Sequence, residues 1–266
     1  MSISSTLIDR AEIRFREAAD VLRPFVGCFW VVTAERDATI RVVPDGSTAI
    51  CTRLQENGRC SWLLRGPLLR PDERHYRSPA TLVGIRLRPG VAFLLTATPS
   101  HTFVGRRITL RNIQAFRDLA SADCGCHTAD RCIDTLERFL LDRLTHARLH
   151  DVVAAGMQEI EREHGSVRVE NVAARCGVSV RHLNRLMREW VGYGVKRYAS
   201  IVRLQATLHE MDRTPGRPAA ALASDNGYFD QAHLTLDLAR FGGATPRRLA
   251  SAGVADFSKT RCDDLP

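Results

Sequence analysis

Over residues 25–110 the apolar positions come in short β-branched runs broken by turn residues; beyond about Ile108 they recur at three- and four-residue spacing. The runs Phe25–Thr33, Ser47–Thr52 and Thr81–Leu87 predict strands. Pro44-Asp-Gly46 predicts a turn, because proline fixes φ and glycine accepts positive φ. Pro89–Leu95 predicts a short helix with proline near its start. Further on, Ile133, Leu136, Leu140, Leu141 and Leu144 form one apolar stripe on a long helix. Such a stripe fits a core face, and at the end of a domain it also fits a dimerisation face. The polar stretch Thr145–His150 then marks a boundary. Helices joined by short turns follow to about Gly253, and Val254–Pro266 reads as a loose tail. The expectation is an α+β chain: a β-rich domain over 1–148, an all-α domain over 149–253, and a tail over 254–266.

The all-α part carries the sharpest local pattern. Ala173 permits close helix approach, Gly177 four residues later ends the first helix, and Ser179 is placed to cap the second. On that second helix Leu183, Leu186, Met187 and Trp190 fall on one face and Arg181, Asn184, Arg185 and Arg188 on the other. Arginine pairs bidentately with guanine and asparagine with adenine, so this face is predicted to read a DNA major groove. Ala223-Ser-Asp-Asn-Gly227 repeats the Ala-x-x-x-Gly spacing fifty residues after Gly177, and Leu234, Leu238 and Phe241 form the inner stripe behind it. Val195–Leu208 reads as a long helix joining the units. Two helix-turn-helix units on one rigid connector can reach successive major grooves, about 34 Å apart.

Charge locates the partner more finely than it identifies it. The 266-residue chain has 38 Lys+Arg against 30 Asp+Glu, a formal net charge of +8. The excess is +6 up to residue 150 and only +2 after it, so bulk charge does not single out the helical part. A local window does: Arg175, Arg181, Arg185, Arg188, Lys196, Arg197 and Arg203 face the single acid Glu189. No uninterrupted apolar run approaches the roughly 18 residues of a spanning helix. The first residues lack a basic segment followed by an apolar one. No membrane partner and a cytoplasmic location are therefore expected.

Residues from about 151 to 250 resemble the DNA-binding domain of the AraC/XylS family of bacterial transcription regulators. The resemblance rests on Gly177-Val-Ser-Val-Arg-His-Leu-Asn-Arg, Lys196-Arg-Tyr, Arg203-Leu-Gln-Ala, and Gly227-Tyr-Phe-Asp-Gln-Ala-His-Leu running on to Arg240-Phe-Gly-Gly-Ala-Thr-Pro246. It implies sequence-specific binding of double-stranded promoter DNA, with Arg181, Asn184 and Arg185 from the first unit and Gln231, Ala232, Thr235 and Leu236 from the second. Arg188, Arg197 and Arg203 join them as DNA-contacting candidates. The position of Leu236 is often arginine in relatives; an aliphatic side chain touches at most a thymine methyl, so the first unit is expected to carry most of the specificity. The N-terminal half is more faintly similar to the β-rich sensor domain of some of these regulators, through Phe29-Trp30, Pro44-Asp-Gly46 and Gly84-Ile-Arg-Leu-Arg-Pro-Gly90. That similarity implies a cupin-like barrel with flanking helices, a small effector, a homodimer, and RNA polymerase as partner of an activator.

One feature lies outside the resemblance. Cys124-Gly-Cys-His-Thr-Ala-Asp-Arg-Cys132 puts three thiols and an imidazole within nine residues. Cys124, Cys126, His127 and Cys132 are thus candidate ligands for zinc or another thiophilic ion, and Arg131 beside Cys132 favours thiolate. The cluster points to a metal, metalloid or thiol-reactive signal. The alternatives are a DNA-repair-type regulator with a metal-bound, alkyl-accepting cysteine, and a regulator of a small organic ligand in which the cysteines have no role. Cys176 reads as a small core residue. No nucleophile elbow and no His-Glu-x-x-His motif occurs, so no enzyme is expected.

Overall fold

A computed structural model describes residues 6–8, 11–55, 60–121 and 127–243. Nine strands make up the described β-rich half: β1 (Thr6–Ile8), β2 (Ala11–Arg16), β3 (Val26–Ala34), β4 (Ala38–Val42), β5 (Thr48–Arg53), β6 (Leu63–Arg65), β7 (Asp72–Tyr76), β8 (Ala80–Leu87) and β9 (Arg107–Thr109). Seven of them form one antiparallel sheet in the order β1-β2-β3-β8-β5-β6-β9, and β4 pairs with β7 in a second. Strand periodicity sends alternate side chains to opposite faces. Cys28, Trp30, Val32 and Ala34 of β3 therefore meet Ile40 of β4 and Leu82 of β8 inside the barrel-like space between the sheets. Phe29 and Val31 join Ile50, Val83 and Ile85 in the core on the other face. Trp30 lies opposite Gly84 in register, and a Cβ at 84 would strike its ring and sit 2.8 Å from the Ile50 carbonyl oxygen. Glycine there lets the indole lie across β8.

The three strands expected from the apolar runs appear as β3, β5 and β8, and the Pro89 segment as α1 (Val91–Thr96). The Pro44–Gly46 turn forms as well: Gly46 has φ +81°, and the Asp45 carboxylate accepts from the Ser47 amide (2.8 Å) and hydroxyl (2.6 Å). After α2 (Arg117–Ser121), α3 (Ala129–Leu144) starts at Thr128, whose hydroxyl accepts from the Arg131 amide. The stripe on α3 is core: Ile133, Leu136, Leu140 and Leu144 are buried in this chain's own cluster, with Leu141 packed beside them. The dimerisation reading of that stripe falls, because its apolar area is already removed from water. Arg16 ties β2 to the outer side of α3 through Asp134 (2.8 Å) and Glu137 (2.9 Å).

Between Leu144 and Asp151 the chain has no regular element. Six helices then follow: α4 (Asp151–Arg162), α5 (Val169–Arg175), α6 (Val180–Trp190), α7 (Val195–Arg213), α8 (Ala219–Asp225) and α9 (Gln231–Asp237), the last continuing as a π-helical turn over Leu238–Gly242. Two clusters hold them. Val153, Ile160, Val172, Leu183, Met187, Val195 and Ile201 pack α4–α6 against the first half of α7. Leu204, Leu208, Leu222, Leu234, Leu238 and Phe241 pack its second half against α8 and α9. The expected tail, 254–266, lies outside the described residues, as does Pro246. Among the described residues no helix is long and apolar enough to cross a membrane.

Candidate nucleic-acid interface

The two turns close alike. Gly177 and Gly227 both take φ +68°, where a side chain would be strained. The amide of Val178 donates to the Ala173 carbonyl (3.1 Å) and that of Gly177 to Ala174 (3.1 Å); Tyr228 donates to Ala223 (2.9 Å) and Gly227 to Ser224 (3.4 Å). These are paired bonds of a Schellman stop, so one local rule ends both lead helices. Each following helix is capped by its own side chain: Ser179 accepts from the His182 amide (3.2 Å), and Asp230 from the His233 amide (2.7 Å).

On α6 Leu183, Leu186 and Met187 are buried, while Arg181, His182, Arg185 and Arg188 are exposed on the opposite side. Arg185 is held by an exposed i,i+4 pair with Glu189 (3.2 Å) and a long contact to His182 Nδ1 (3.5 Å). Such a pair is worth about 0.3–0.5 kcal/mol, less than the roughly 1–3 kcal/mol of a bidentate guanine contact, so Arg185 can turn to a base. Asn184 is placed differently from the expectation. Its Oδ1 accepts from the Val195 amide (3.1 Å) and its Nδ2 donates to the Val180 carbonyl (3.0 Å), so the carboxamide braces α6 to the start of α7. Gly194 leaves room for it, since a Cβ there would sit 2.8 Å from that Oδ1. Reading adenine would cost both bonds. Trp190, half-buried, packs against the first-unit core as expected and also reaches Phe93 of α1, the two rings tilted with centroids 4.4 Å apart.

On α9 Leu234 is buried and Gln231, Ala232 and Leu236 are exposed, Leu236 by 69% and the preceding Phe229 by 92%. Thr235 is half-buried, its hydroxyl donating to the Gln231 carbonyl (2.8 Å). Arg203 is largely inside: its guanidinium lies 4.7 Å from the Tyr228 ring centre, donates to the Gly227 carbonyl (3.3 Å) and sits 3.6 Å from buried Asp237. It joins α7 to the second unit. Arg197 and Arg240 flank the Phe241 ring at 5.3 and 5.2 Å, and with Arg188 and Lys196 they line one shallow cleft between the units. Burial, and then repulsion from Arg240, lowers the Arg197 pKa; the group stays cationic at neutral pH. This four-cation cleft can take phosphates. Arg240 was missed as a site residue because it lies far along the chain, and only the π turn after α9 carries it to Arg197.

The β-rich half borders this surface. Leu69, Pro99 and His101 form one wall of an open cleft of about 1160 Å³ whose other wall is the exposed side of α6. Tyr193, 3% exposed, donates to the Leu68 carbonyl (2.6 Å); burial drives its hydroxyl pKa far upward. Gln205 of α7 donates to the Pro44 carbonyl (2.6 Å), and Val43 is buried among Leu204, Leu208 and Phe241. The turn after β4 is thus wedged against the connector between the two units.

The cysteine cluster is only partly described: Cys124 and Cys126 lie outside the described residues. His127 is exposed, whereas Cys132 is buried in the first turn of α3 with its sulfur 3.8 Å from that of Cys60. The two candidate ligands therefore differ in environment, and the fold brings Cys132 to a thiol 72 residues away. Among the described residues no group of three or more His, Cys, Asp or Glu side chains is placed to hold a metal ion. Cys176 is half-buried and packs against the first-unit core, where burial raises its thiol pKa.

Two family models match the chain: a domain of unknown function (DUF6597) over residues 16–109 and a helix-turn-helix domain over residues 172–252. No curated protein matches. Among solved structures, the chain is similar to the C-terminal domain of AraT, a response regulator from Geobacillus stearothermophilus, at 20% identity over 41% of this chain and 92% of that one, with a TM-score of 0.37. It is also similar to ToxT from Vibrio cholerae, at 9% identity over 84% of this chain and 97% of that one, with a TM-score of 0.46. The unsaturated fatty acid-bound form of ToxT aligns at 11% identity over 89% and 97%, with a TM-score of 0.40.

Proposed function

We propose that this chain, a DNA-binding transcription regulator with an AraC/XylS-type double helix-turn-helix domain, reads its operator mainly through α6 and responds to a small effector held by its β-rich half. The observation that carries this is the direct seat of the β-rich half on the reading unit: Trp190 at the end of α6, Tyr193 in the link to α7, and Gln205 on α7 all contact it. A ligand that alters this seat alters how the two units are presented, and it does so only to the extent that it prefers one arrangement. Arg181 and Arg185 are the base-reading candidates of α6, and Arg188, Lys196, Arg197 and Arg240 the phosphate contacts. Gln231, Thr235 and Leu236 make the weaker second reading head. Between the sensing alternatives, burial of Cys132 favours a small organic ligand over a metal ion bound by Cys124, Cys126, His127 and Cys132.

The test is selection from a random duplex pool with the full chain, followed by titration of the enriched sequence. Arg185→Ala is expected to weaken binding by about 1–3 kcal/mol and to relax one base position, with Gln231→Ala costing less. Equal losses for the two variants would overturn the ranking. No enrichment at all would overturn sequence-specific binding.

A further inference from the structure

We propose that Cys60 and Cys132 form a reversible disulfide when the protein meets a peroxide, Cys60 taking the oxidant and Cys132 resolving it. The inference goes beyond the DNA-binding and effector readings and stands without them.

The chain has eight cysteines, of which Cys28, Cys51, Cys60, Cys132 and Cys176 lie among the described residues. Their placement sets one pair apart. Cys28 of β3 and Cys51 of β5 share a core, yet β8 runs between their strands, with Arg86 opposite Cys28 and Gly84 opposite Cys51. Strands two apart lie about 9–10 Å from each other, beyond the roughly 7 Å of Cα separation that a disulfide spans. Cys176 belongs to the first helix-turn-helix unit. Cys60 and Cys132, by contrast, stand 72 residues apart in the chain with their sulfurs 3.8 Å apart. That is van der Waals contact, and about 1.8 Å of approach brings the pair to the ~2.05 Å of a disulfide.

The two thiols differ in a way that gives each a role. Cys132 sits in the first turn of α3, fully buried in the core it shares with Ile133, Leu136 and Leu140, so packing fixes its position. Cys60 is half-buried against the same core, and its backbone, ahead of β6, belongs to no strand or helix. Cys60 is therefore the sulfur that small oxidants reach and the one that shifts. An accessible thiol with a second one beside it is the arrangement that peroxide-responsive cysteines need.

The chemistry balances with hydrogen peroxide as the oxidant. The Cys60 sulfur, as thiolate, attacks one peroxide oxygen; an S–O bond forms, the O–O bond breaks, and the departing hydroxide takes up the thiol proton as water. The Cys132 sulfur, giving up its own proton, then attacks the sulfenic sulfur of Cys60. An S–S bond forms, the S–O bond breaks, and hydroxide leaves with that proton as a second water. Two thiols lose two electrons, and one peroxide becomes two waters. A dithiol reverses the reaction by exchange, so in a reducing compartment the pair rests as thiols.

The experiment treats the reduced full chain with hydrogen peroxide, blocks remaining thiols with N-ethylmaleimide, and maps peptides by mass without reduction. A peptide pair joined through Cys60 and Cys132 is expected, with dithiothreitol restoring both thiols. The oxidised chain is expected to melt about 5 °C or more above the reduced one, because the bond closes a long loop in the unfolded chain. Cys60→Ser is expected to lose both the cross-link and the thermal gain. Cys132→Ala, which keeps a small apolar side chain in the core, is expected to lose them too, while the sulfenic acid of Cys60 accumulates and is trapped by dimedone. Should Cys132→Ala fail to fold, Cys60→Ser and the peptide map of the parent still decide. Peroxide that leaves both thiols intact, or that joins either of them to another cysteine such as Cys124 or Cys126, would overturn the pairing. So would a linked form that melts no higher than the reduced chain. Zinc that copurifies with the chain and is released by peroxide would make the two thiols metal ligands and overturn it as well.

Discussion

Replacing Tyr193 by Phe isolates one bond of the domain seam. The ring is buried and stays packed, so the change removes only the hydroxyl that donates to the Leu68 carbonyl at 2.6 Å. A net hydrogen bond contributes about 0.5–1.5 kcal/mol, and an acceptor left dry costs about 1–3 kcal/mol. Leu68 is half-buried, so water can reach part of the space vacated. The lower range applies, and a loss of about 1 kcal/mol is expected. Urea denaturation of the full chain measures it, with the slope compared to show that the surface exposed on unfolding is unchanged. Tyr198→Phe is the comparison: its ring lies beside Gly46 and stays there, and the change removes only the hydroxyl bond to Glu161 (2.7 Å) inside the first unit. The double variant Tyr193→Phe with Phe93→Ala then tests coupling, because Phe93 stacks on Trp190 in the same seam. A Tyr193→Phe effect below about 0.3 kcal/mol, or strict additivity with Phe93→Ala, would refute a seam that acts as one contact.

Three further outcomes are expected. Arg188→Ala and Arg197→Ala should each weaken DNA binding almost uniformly across sequences and lower the salt slope by about 1, read from titrations at several salt concentrations; sequence-dependent losses would instead make them base readers. Gly84→Ala should cost about 1–3 kcal/mol in denaturation, since the added methyl meets the Trp30 ring and the Ile50 carbonyl with no flexible neighbour to yield. Under native conditions a thiol reagent should modify half-buried Cys60 before buried Cys132, followed by peptide mass mapping; equal rates would contradict the burial of the α3 thiol.

Much of this protein was determined locally. The Ala-x-x-x-Gly spacing, the Ser179 cap and the split of α6 into apolar and cationic faces are rules of one or two helical turns, so they were legible residue by residue. The strands β3, β5 and β8 were legible for the same reason, and β2 was within reach: Ala11, Ile13 and Phe15 alternate with Glu12, Arg14 and Arg16. What side chains do across the fold was not legible. Whether the α3 stripe faced a core or a second subunit depended on a sheet contributed by residues far away. Asn184 and Arg203 looked like ligand contacts by position, yet a backbone amide at Val195 and the Tyr228 ring claim them instead. The arginines of β6, β7 and β8 carry no shared motif, because only the facing of the two sheets brings Arg74 of β7 to one cavity with Arg65 and Arg86. Local conformation follows from neighbours in sequence, whereas burial and partnership follow from neighbours in space, and only the tertiary structure supplies those.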